Sequence, residues 1–527
     1  MLTVNTRDKS LLIDPLYHIG IGFWLLVLVL LGIIGWGGYM YYQQITVGLG
    51  QTGLNRPVFW GVYMVNFIFL IGVSMAGTLI SAALQLTGAN WRRPITRIAE
   101  TLTVFGLLVA ALQILFDMGR PERMISIFIY GRLQSPLLWD ATSLTLYILA
   151  SMGALFMQLL PDIALLRDNV PANAPKWRSF LYRALALGWR GNREQWRRLE
   201  KVITTTSILI IPIGVSLHTV TSWIFSTTVQ PGWKSTILGP YFVVGAVFSG
   251  IGMLLIVVTI FRQRMGLQEY IQEQQYRSLK ALFIVMSIIW FYFTYTEHLT
   301  IVAGQEVMEF PVLASKLWGT FAPTFWGMVG LMVVATWVLI VPNLLPSFLQ
   351  ELSPLFSGQW LLGQGITAVF LSLVLFMPEQ LPFTLSLAPD IRTLLWVIEV
   401  MLLLALVIGF TLWCKRHLIR SMIIASVCVV VGMWLERWNI IIPTVTHPRL
   451  VPYATYLPSP TELSVTAASF AMLVLGPLLF FKLFPAISIW EVAEGRVIAA
   501  AEAQIEIPAP EPVGPKRKRP FEFRRPN

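Results

Sequence analysis

Twelve apolar stretches, each long enough to cross ~30 Å of hydrocarbon as a helix, constrain this chain more than any single motif. They run roughly over 17–42, 59–86, 98–117, 135–160, 202–226, 239–262, 280–303, 324–342, 360–377, 391–414, 418–442 and 463–484. Inside lipid a backbone must satisfy its own hydrogen bonds, which restricts spanning segments to helices or closed barrels. Continuous apolar runs of this length are those of helices. The predicted fold is all-α, a polytopic transmembrane bundle of about ten to twelve spans. The ninth run is short and lies between Pro354 and Pro378, so a re-entrant hairpin is the alternative there.

Composition closes off a water-soluble fold. Only 12% of residues are charged and the mean hydropathy is +0.69, against ~25% charged in soluble domains. The first run is too long for the apolar core of a signal peptide and no small-residue cleavage site follows it, so it reads as a retained span. The net charge of +11 sorts onto one side of the span map. With the N-terminus in the cytoplasm, only Arg56, Arg120, Arg123, Arg132, Lys234, Lys316, Arg392 and Arg449 fall outside, and Arg437 lies within a span. All the other Lys and Arg fall inside, as the positive-inside rule requires. That distribution sets topology in a cytoplasmic membrane and argues against nucleic-acid binding.

Three regions follow: a cytoplasmic N-terminus (1–16), a membrane domain (17–495) and a basic, disordered cytoplasmic tail (496–527). Within the membrane domain, loop 161–201 mixes nine basic residues with Trp177, Phe180, Leu181, Leu185 and Trp189. That pattern suits an amphipathic helix lying on the inner membrane surface, with a cytosolic partner's docking site as the sharper alternative. The tail, with Lys516 to Arg519 consecutive, suits contact with acidic lipid headgroups.

Ionisable groups within spans are costly and are functional candidates. Asp117 ends the third span and Asp140 sits one turn into the fourth. His218 lies in the fifth, Glu297 and His298 in the seventh, Glu399 in the tenth, and Glu436 and Arg437 in the eleventh. Tyr63, Asn66 and Gln113 add neutral polarity. Asp117, Asp140, Tyr63 and Asn66 all map to the outer half of the membrane. Quinol oxidation needs such groups, because two hydroxyls must lose protons to positioned bases while an apolar groove takes the tail. The structural alternatives are an Asp117 pair with Arg120 or Arg123, first-turn amides satisfied by Asp140, and packing hydrogen bonds for the histidines. Glu436 and Arg437 are adjacent, so each is expected to pair with a different helix.

Cys414 and Cys428 form no disulfide framework and no cluster motif, so any iron–sulfur centre belongs to another subunit. Five histidines, with only His218 and His298 deep in the outer half, do not supply the facing pairs that a haem-binding bundle needs. No metal site is predicted.

Several stretches resemble the NrfD-like family, the membrane subunits of polysulfide reductase and its relatives. They are Phe59 to Tyr63 with Ala76-Gly77-Thr78, Phe116 to Arg123, Ser135 to Asp140, His218 to Trp223, Pro231 to Thr236, Gly239 to Phe242, Tyr295 to His298 and Trp434 to Arg437. The extra first span, and Lys482 to Pro485 with Trp490-Glu491, look most like the quinol-oxidising membrane subunit of bacterial alternative complex III. Segment 343–414 departs from that pattern as an added apolar pair. The resemblance implies two four-helix bundles with peripheral helices, and no bound haem or iron–sulfur cluster. It implies menaquinol as substrate at a site around Tyr63, Asn66, Asp117, Asp140 and His218, with Arg120, Arg123, Trp233 and Tyr241 nearby. It implies a proton route through Glu297, His298, Glu436 and Arg437. The implied partners are an outer iron–sulfur subunit, multihaem c-type cytochromes, and other membrane subunits including a second NrfD-like copy. A proton-coupled transporter and a non-redox anchor are the competing readings; the lack of matched broken spans in two halves counts against the first.

Overall fold

The computed structural model describes residues 6–18, 20–171, 174–346, 351, 353–376 and 389–504. These residues form helices and no strand. In chain order the helices are α1 (Ile21–Val47), α2 (Val62–Leu86), α3 (Arg93–Asp117), α4 (Pro136–Asp168) and α5 (Lys176–Leu185). Then come α6 (Arg193–Ser226), α7 (Leu238–Arg264), α8 (Glu273–Gly304), α9 (Phe310–Leu317) and α10 (Ala322–Leu344). The last five are α11 (Gly358–Phe376), α12 (Pro389–Arg416), α13 (Leu418–Thr446), α14 (Pro460–Leu483) and α15 (Ile489–Gln504). Among the described residues eleven helices are long and apolar enough to span a membrane, all of these except α5, α9, α11 and α15.

Local signals set many of the starts. Pro136 and Pro460 occupy first-turn positions, where the missing N–H costs nothing. Asn192 caps α6 and Ser459 caps α14, each in a reciprocal capping box with the residue three positions on.

Packing divides the helices as the resemblance implies. Helices α2, α3, α4 and α6 form one four-helix bundle, and α7, α8, α10 and α13 form a second. They meet where α2 packs on α7 and α13. Helix α1 lies against α14 at one edge, and the α11–α12 pair lies against α10 and α13 at another. Helix α2, at the junction, is 88% buried over its most apolar window, whereas α1 is 17% buried and presents its side chains outward.

The added segment is a helical pair. Lys415 at the end of α12 donates to the Leu345 carbonyl at the end of α10. A Cβ at Gly409 of α12 would lie 2.5 Å from the Phe356 ring just before α11. The start of α11 therefore abuts the end of α12, and the two run antiparallel. Their connection, including Pro378, lies outside the described residues.

Two boundaries differ from expectation. The fourth span does not stop at 160: α4 continues through Pro161 to Asp168. A proline removes one helical hydrogen bond, but Asp162 is anchored in the core by Arg97 and by the backbone N–H groups of Ile489 and Trp490. At the C-terminus, α15 carries regular structure to Gln504, into the stretch assigned to a disordered tail. Residues 505–527, with the run Lys516 to Arg519, lie outside the described residues.

Helix α5 presents two different sides. Trp177 and Phe180 are exposed. On the other side Arg178 donates to the carbonyls of Leu16 and Lys482, and Tyr182 to that of Leu483. This face of the molecule also carries α15 and the N-terminal segment, and it is called the basic face below.

Candidate functional site

At the end of the first bundle away from the basic face, one stripe of α6 faces α4. His218, Thr221, Ser222 and Phe225 recur at helical spacing and are all buried. The Thr221 hydroxyl lies 2.5 Å from Asp140 Oδ1 and 2.8 Å from the Leu217 carbonyl. It has one proton and two acceptors. Either Thr221 donates to an ionised Asp140, or a protonated Asp140 donates to Thr221, which then bonds Leu217. Both protonation states of Asp140 are thus accommodated without moving a heavy atom. One turn further along α6, His218 Nδ1 is 3.1 Å from the Gly214 carbonyl. A carbonyl only accepts, so Nδ1 carries the proton. In that tautomer Nε2 is the unprotonated nitrogen; it is buried and makes no close hydrogen bond, with the Ile71 backbone as a further polar neighbour of the ring. The Asp140 carboxyl of α4 thus meets α6 at Thr221, one helical turn from the His218 imidazole.

Phe225 packs edge-on against Trp60 and Trp233. Trp233 is itself fully buried, with its indole N–H donated to the Ile440 carbonyl. It acts as a pillar between the bundles.

Tyr63 and Asn66 point elsewhere. The Tyr63 hydroxyl donates to Gln44 of α1, and Gln44 donates to the Phe116 carbonyl. Asn66 bonds Thr466 of α14 and accepts from Trp434 of α13. Gln113 donates to Ser469 of α14. These residues form a second cluster between α1, α2, α3, α13 and α14, on a different side of α2 from Asp140. Asp117 belongs to it: its carboxyl interacts with Tyr63, Tyr456 and Glu462, and Oδ1 is buried without a partner. Arg120 and Arg123 are exposed on the following loop, and the charged neighbour of the Asp117 carboxyl is Glu462 instead. The expected shared mouth of Asp117 and Asp140 is two separate clusters on either side of α2.

Glu462 organises the second cluster and escaped the sequence reading. Its carboxylate accepts from the N–H groups of Gly53 and Ser459 and from the Tyr456 hydroxyl. Burial and the neighbouring Glu462 and Asp117 carboxylates hold the Tyr456 phenol well above its ordinary value. The Ser459-Pro460-Thr461-Glu462 capping box was the available signal.

The second bundle encloses a cavity of about 30 Å³, enough for one or two waters. Tyr241, Glu297, His298, Lys316, Glu436 and Asn439 line it. The structure therefore brings together three of the four residues assigned to a proton route. The fourth, Arg437, corrects an expectation: it is ion-paired with its neighbour Glu436. Adjacent helical residues diverge at Cβ, but both side chains are long enough to converge on the face toward α7. Gly245 makes room there, since a Cβ would lie 2.7 Å from Arg437 Nη2. Each also reaches another helix: Trp290 of α8 donates to Glu436, and Arg437 sits over the Phe242 ring of α7. Lys316, on α9 at the cavity wall, is drawn down to about 8 by burial, against the opposing pull of Glu297 and Glu309.

Glu399, in the added pair, accepts from Ser372 across α11 and α12. That contact ties the hairpin together, far from either cluster.

Comparison with known proteins agrees with this architecture. Residues 50–377 match the family model described as NrfD, polysulphide reductase. A putative dimethyl sulfoxide reductase membrane subunit of Halobacterium salinarum is 31% identical over 236 residues, 44% of this chain and 50% of that one. A selenate reductase subunit of Mesobacillus selenatarsenatis is 25% identical over 231 residues, 42% and 52% of the two chains. The Hdr-like menaquinol oxidoreductase integral membrane subunit of Archaeoglobus fulgidus is 24% identical over 327 residues, 61% and 72%. The chain spans about half the length of the first two relatives. The family model covers more than half of the chain, and with its two helical bundles the protein belongs to the NrfD family of polysulphide reductase membrane subunits.

Proposed function

We propose that this chain is the quinol-oxidising membrane subunit of an electron-transfer complex, most like that of alternative complex III, with menaquinol as substrate. The observation that carries this reading is the Asp140–Thr221–Leu217 arrangement, which tolerates Asp140 with or without a proton. Oxidising a quinol releases two electrons and two protons. In this reading one quinol hydroxyl gives its proton to Asp140 and the other to the unprotonated Nε2 of His218. Arg120 and Arg123 stand exposed at the same end. Membership of a family of reductase membrane subunits, one of whose relatives is named a menaquinol oxidoreductase subunit, supports the substrate class.

The electrons must leave the chain, since it offers no cluster-binding motif. We assign them to an iron–sulfur subunit on the face opposite the basic one, docked on loops 118–134, 227–238 and 443–461, and then to c-type haem subunits. On the positive-inside rule the basic face is cytoplasmic and both termini lie there. The cavity around Glu297, His298 and Glu436 would then carry protons through the second bundle.

Quinone extraction and menaquinol turnover on the purified complex test the reading. Bound quinone with quinol-dependent reduction of the haem partners is expected. A complex with neither would return the chain to the transporter or anchor readings.

A further inference from the structure

A third polar cluster lies at the opposite end of the first bundle and has no part in the function proposed above. Glu100 sits about two turns into α3 from the basic face and is 4% exposed. Ser81 of α2 and Gln158 of α4 both donate to its Oε1. Its Oε2 has no partner and is buried. The carboxylate borders a cavity of about 20 Å³, the size of one water or one small ion. Besides apolar side chains, that cavity is walled by Thr78, Ser81, Gln158, Thr206 and Ser207.

A buried carboxylate needs a compensating charge. The nearby cations are already engaged. Arg97 is paired with Asp162, and it also donates to the Gln158 carbonyl. Arg92 is paired with Glu491 and bonds Thr96. Arg93 bonds the Glu491 carbonyl and pairs with Glu494. Among the described residues, no cation lies within ion-pair distance of Glu100. Two donors on Oε1 leave Oε2 as the one free position of the carboxyl, able to carry a proton or to ligate a cation. Glu100 shares this cavity with the hydroxyls of Thr78, Ser81, Thr206 and Ser207, whose lone pairs can ligate a hard cation. One carboxylate is too little charge for a divalent ion's usual site, and no group of three His, Cys, Asp or Glu converges among the described residues.

We propose that this cavity binds a monovalent cation the size of sodium, held by Glu100 Oε2 and the hydroxyls of Thr78, Thr206 and Ser207. The ion would tie α2, α3 and α6 together beside the Arg97–Asp162 pair. Thr206, Ala154 and Met157 are half-buried and form the rim through which it would enter.

The test is equilibrium binding of radioactive sodium to the intact complex in lipid nanodiscs, in choline chloride at constant ionic strength and pH 8. Saturable binding at one site is expected, absent in Glu100→Gln. Thr206→Val combined with Ser207→Ala should weaken it by at least about tenfold, the lower end of what a lost supporting group costs a metal site. The double variant keeps the carboxylate and therefore serves as the test if Glu100→Gln does not assemble. No saturable sodium binding, or binding unchanged in the assembled double variant, would overturn the proposal. Stability that responds to pH but not to sodium would likewise assign the site to a proton.

Discussion

Asp140 and Thr221 share a hydrogen bond of 2.5 Å whose proton has two possible owners, because the Thr221 hydroxyl is also 2.8 Å from the Leu217 carbonyl. A base that must charge and discharge in each turnover benefits from a neighbour that serves both states. Asp140→Asn keeps shape and hydrogen bonding but cannot take the proton. It should lower quinol-oxidation turnover by at least about tenfold in an assembled complex, a cautious fraction of the general-base range. Thr221→Val keeps the carboxyl but removes the relay and should cost less than Asp140→Asn. Wild-type turnover in assembled Asp140→Asn would remove Asp140 from the mechanism and leave His218 as the base to test.

The spans were legible because lipid demands long apolar helices and little else, whereas their grouping into two bundles came from the family resemblance. Rotational phase was not legible. Helix α2 is enclosed on nearly all sides at the junction of the bundles, so its pattern carries no lipid-facing stripe to say where Tyr63 and Asn66 point. That is why they were grouped with Asp140, although they bond α1, α13 and α14. Asp162 was hidden by Pro161, which looked like a span end. Glu100 was hidden among the first polar turns of α3, where a charge ordinarily meets headgroups. Glu462 was hidden in a loop-proximal capping box whose local signal says nothing about the loop it would hold.

Lys316 gives a pH dependence with a definite sign. Burial draws its folded value down to about 8, below the ~10.4 of an unfolded lysine. Between these values the unfolded chain binds more protons than the folded one, so stability rises as pH increases through that window. Below pH 8 both states are protonated and the dependence vanishes. Thermal unfolding of the purified complex from pH 7 to 10 should show the rise, and Lys316→Met should flatten it. A slope unchanged by Lys316→Met would mean that another group titrates.

The Arg97–Asp162 pair is buried from both partners, at 2% and 0% side-chain exposure. Asp162 also accepts from the backbone of Ile489 and Trp490 at 3.1 Å, so it docks the start of α15. Removing one partner leaves an uncompensated buried charge, which costs ~3–5 kcal/mol. Arg97→Met and Asp162→Leu should each lower the midpoint of unfolding in mixed micelles and expose α15 to protease. Because an apolar pair strands no charge, the double variant should be less damaged than the sum of the singles. Strict additivity would show that the two side chains are not coupled.

Sidedness can be tested without any assumption about chemistry. The Arg496 guanidinium bonds both carboxylate oxygens of Asp8, at 2.7 and 2.8 Å, so the N-terminal segment and α15 occupy one face. Arg178 of α5 donates to Leu16 and Lys482, which brings loop 161–201 to that same face. The loop between α6 and α7 lies a full helix length away, at the far end of both. Glu306, exposed on the loop after α8, shares that far end and lies outside the proposed docking loops. The orientation proposed above, from the positive-inside rule, puts the face shared by α5, α15 and the N-terminal segment in the cytoplasm. Single cysteines introduced at Lys176 and at Glu306, in a variant lacking Cys414 and Cys428, should therefore differ in labelling by an impermeant maleimide on intact cells. Glu306→Cys should label, and Lys176→Cys should label only after lysis. Labelling of both from outside would break the helix map, and the reverse pattern would invert the chain and carry the iron–sulfur docking face to the cytoplasm with it.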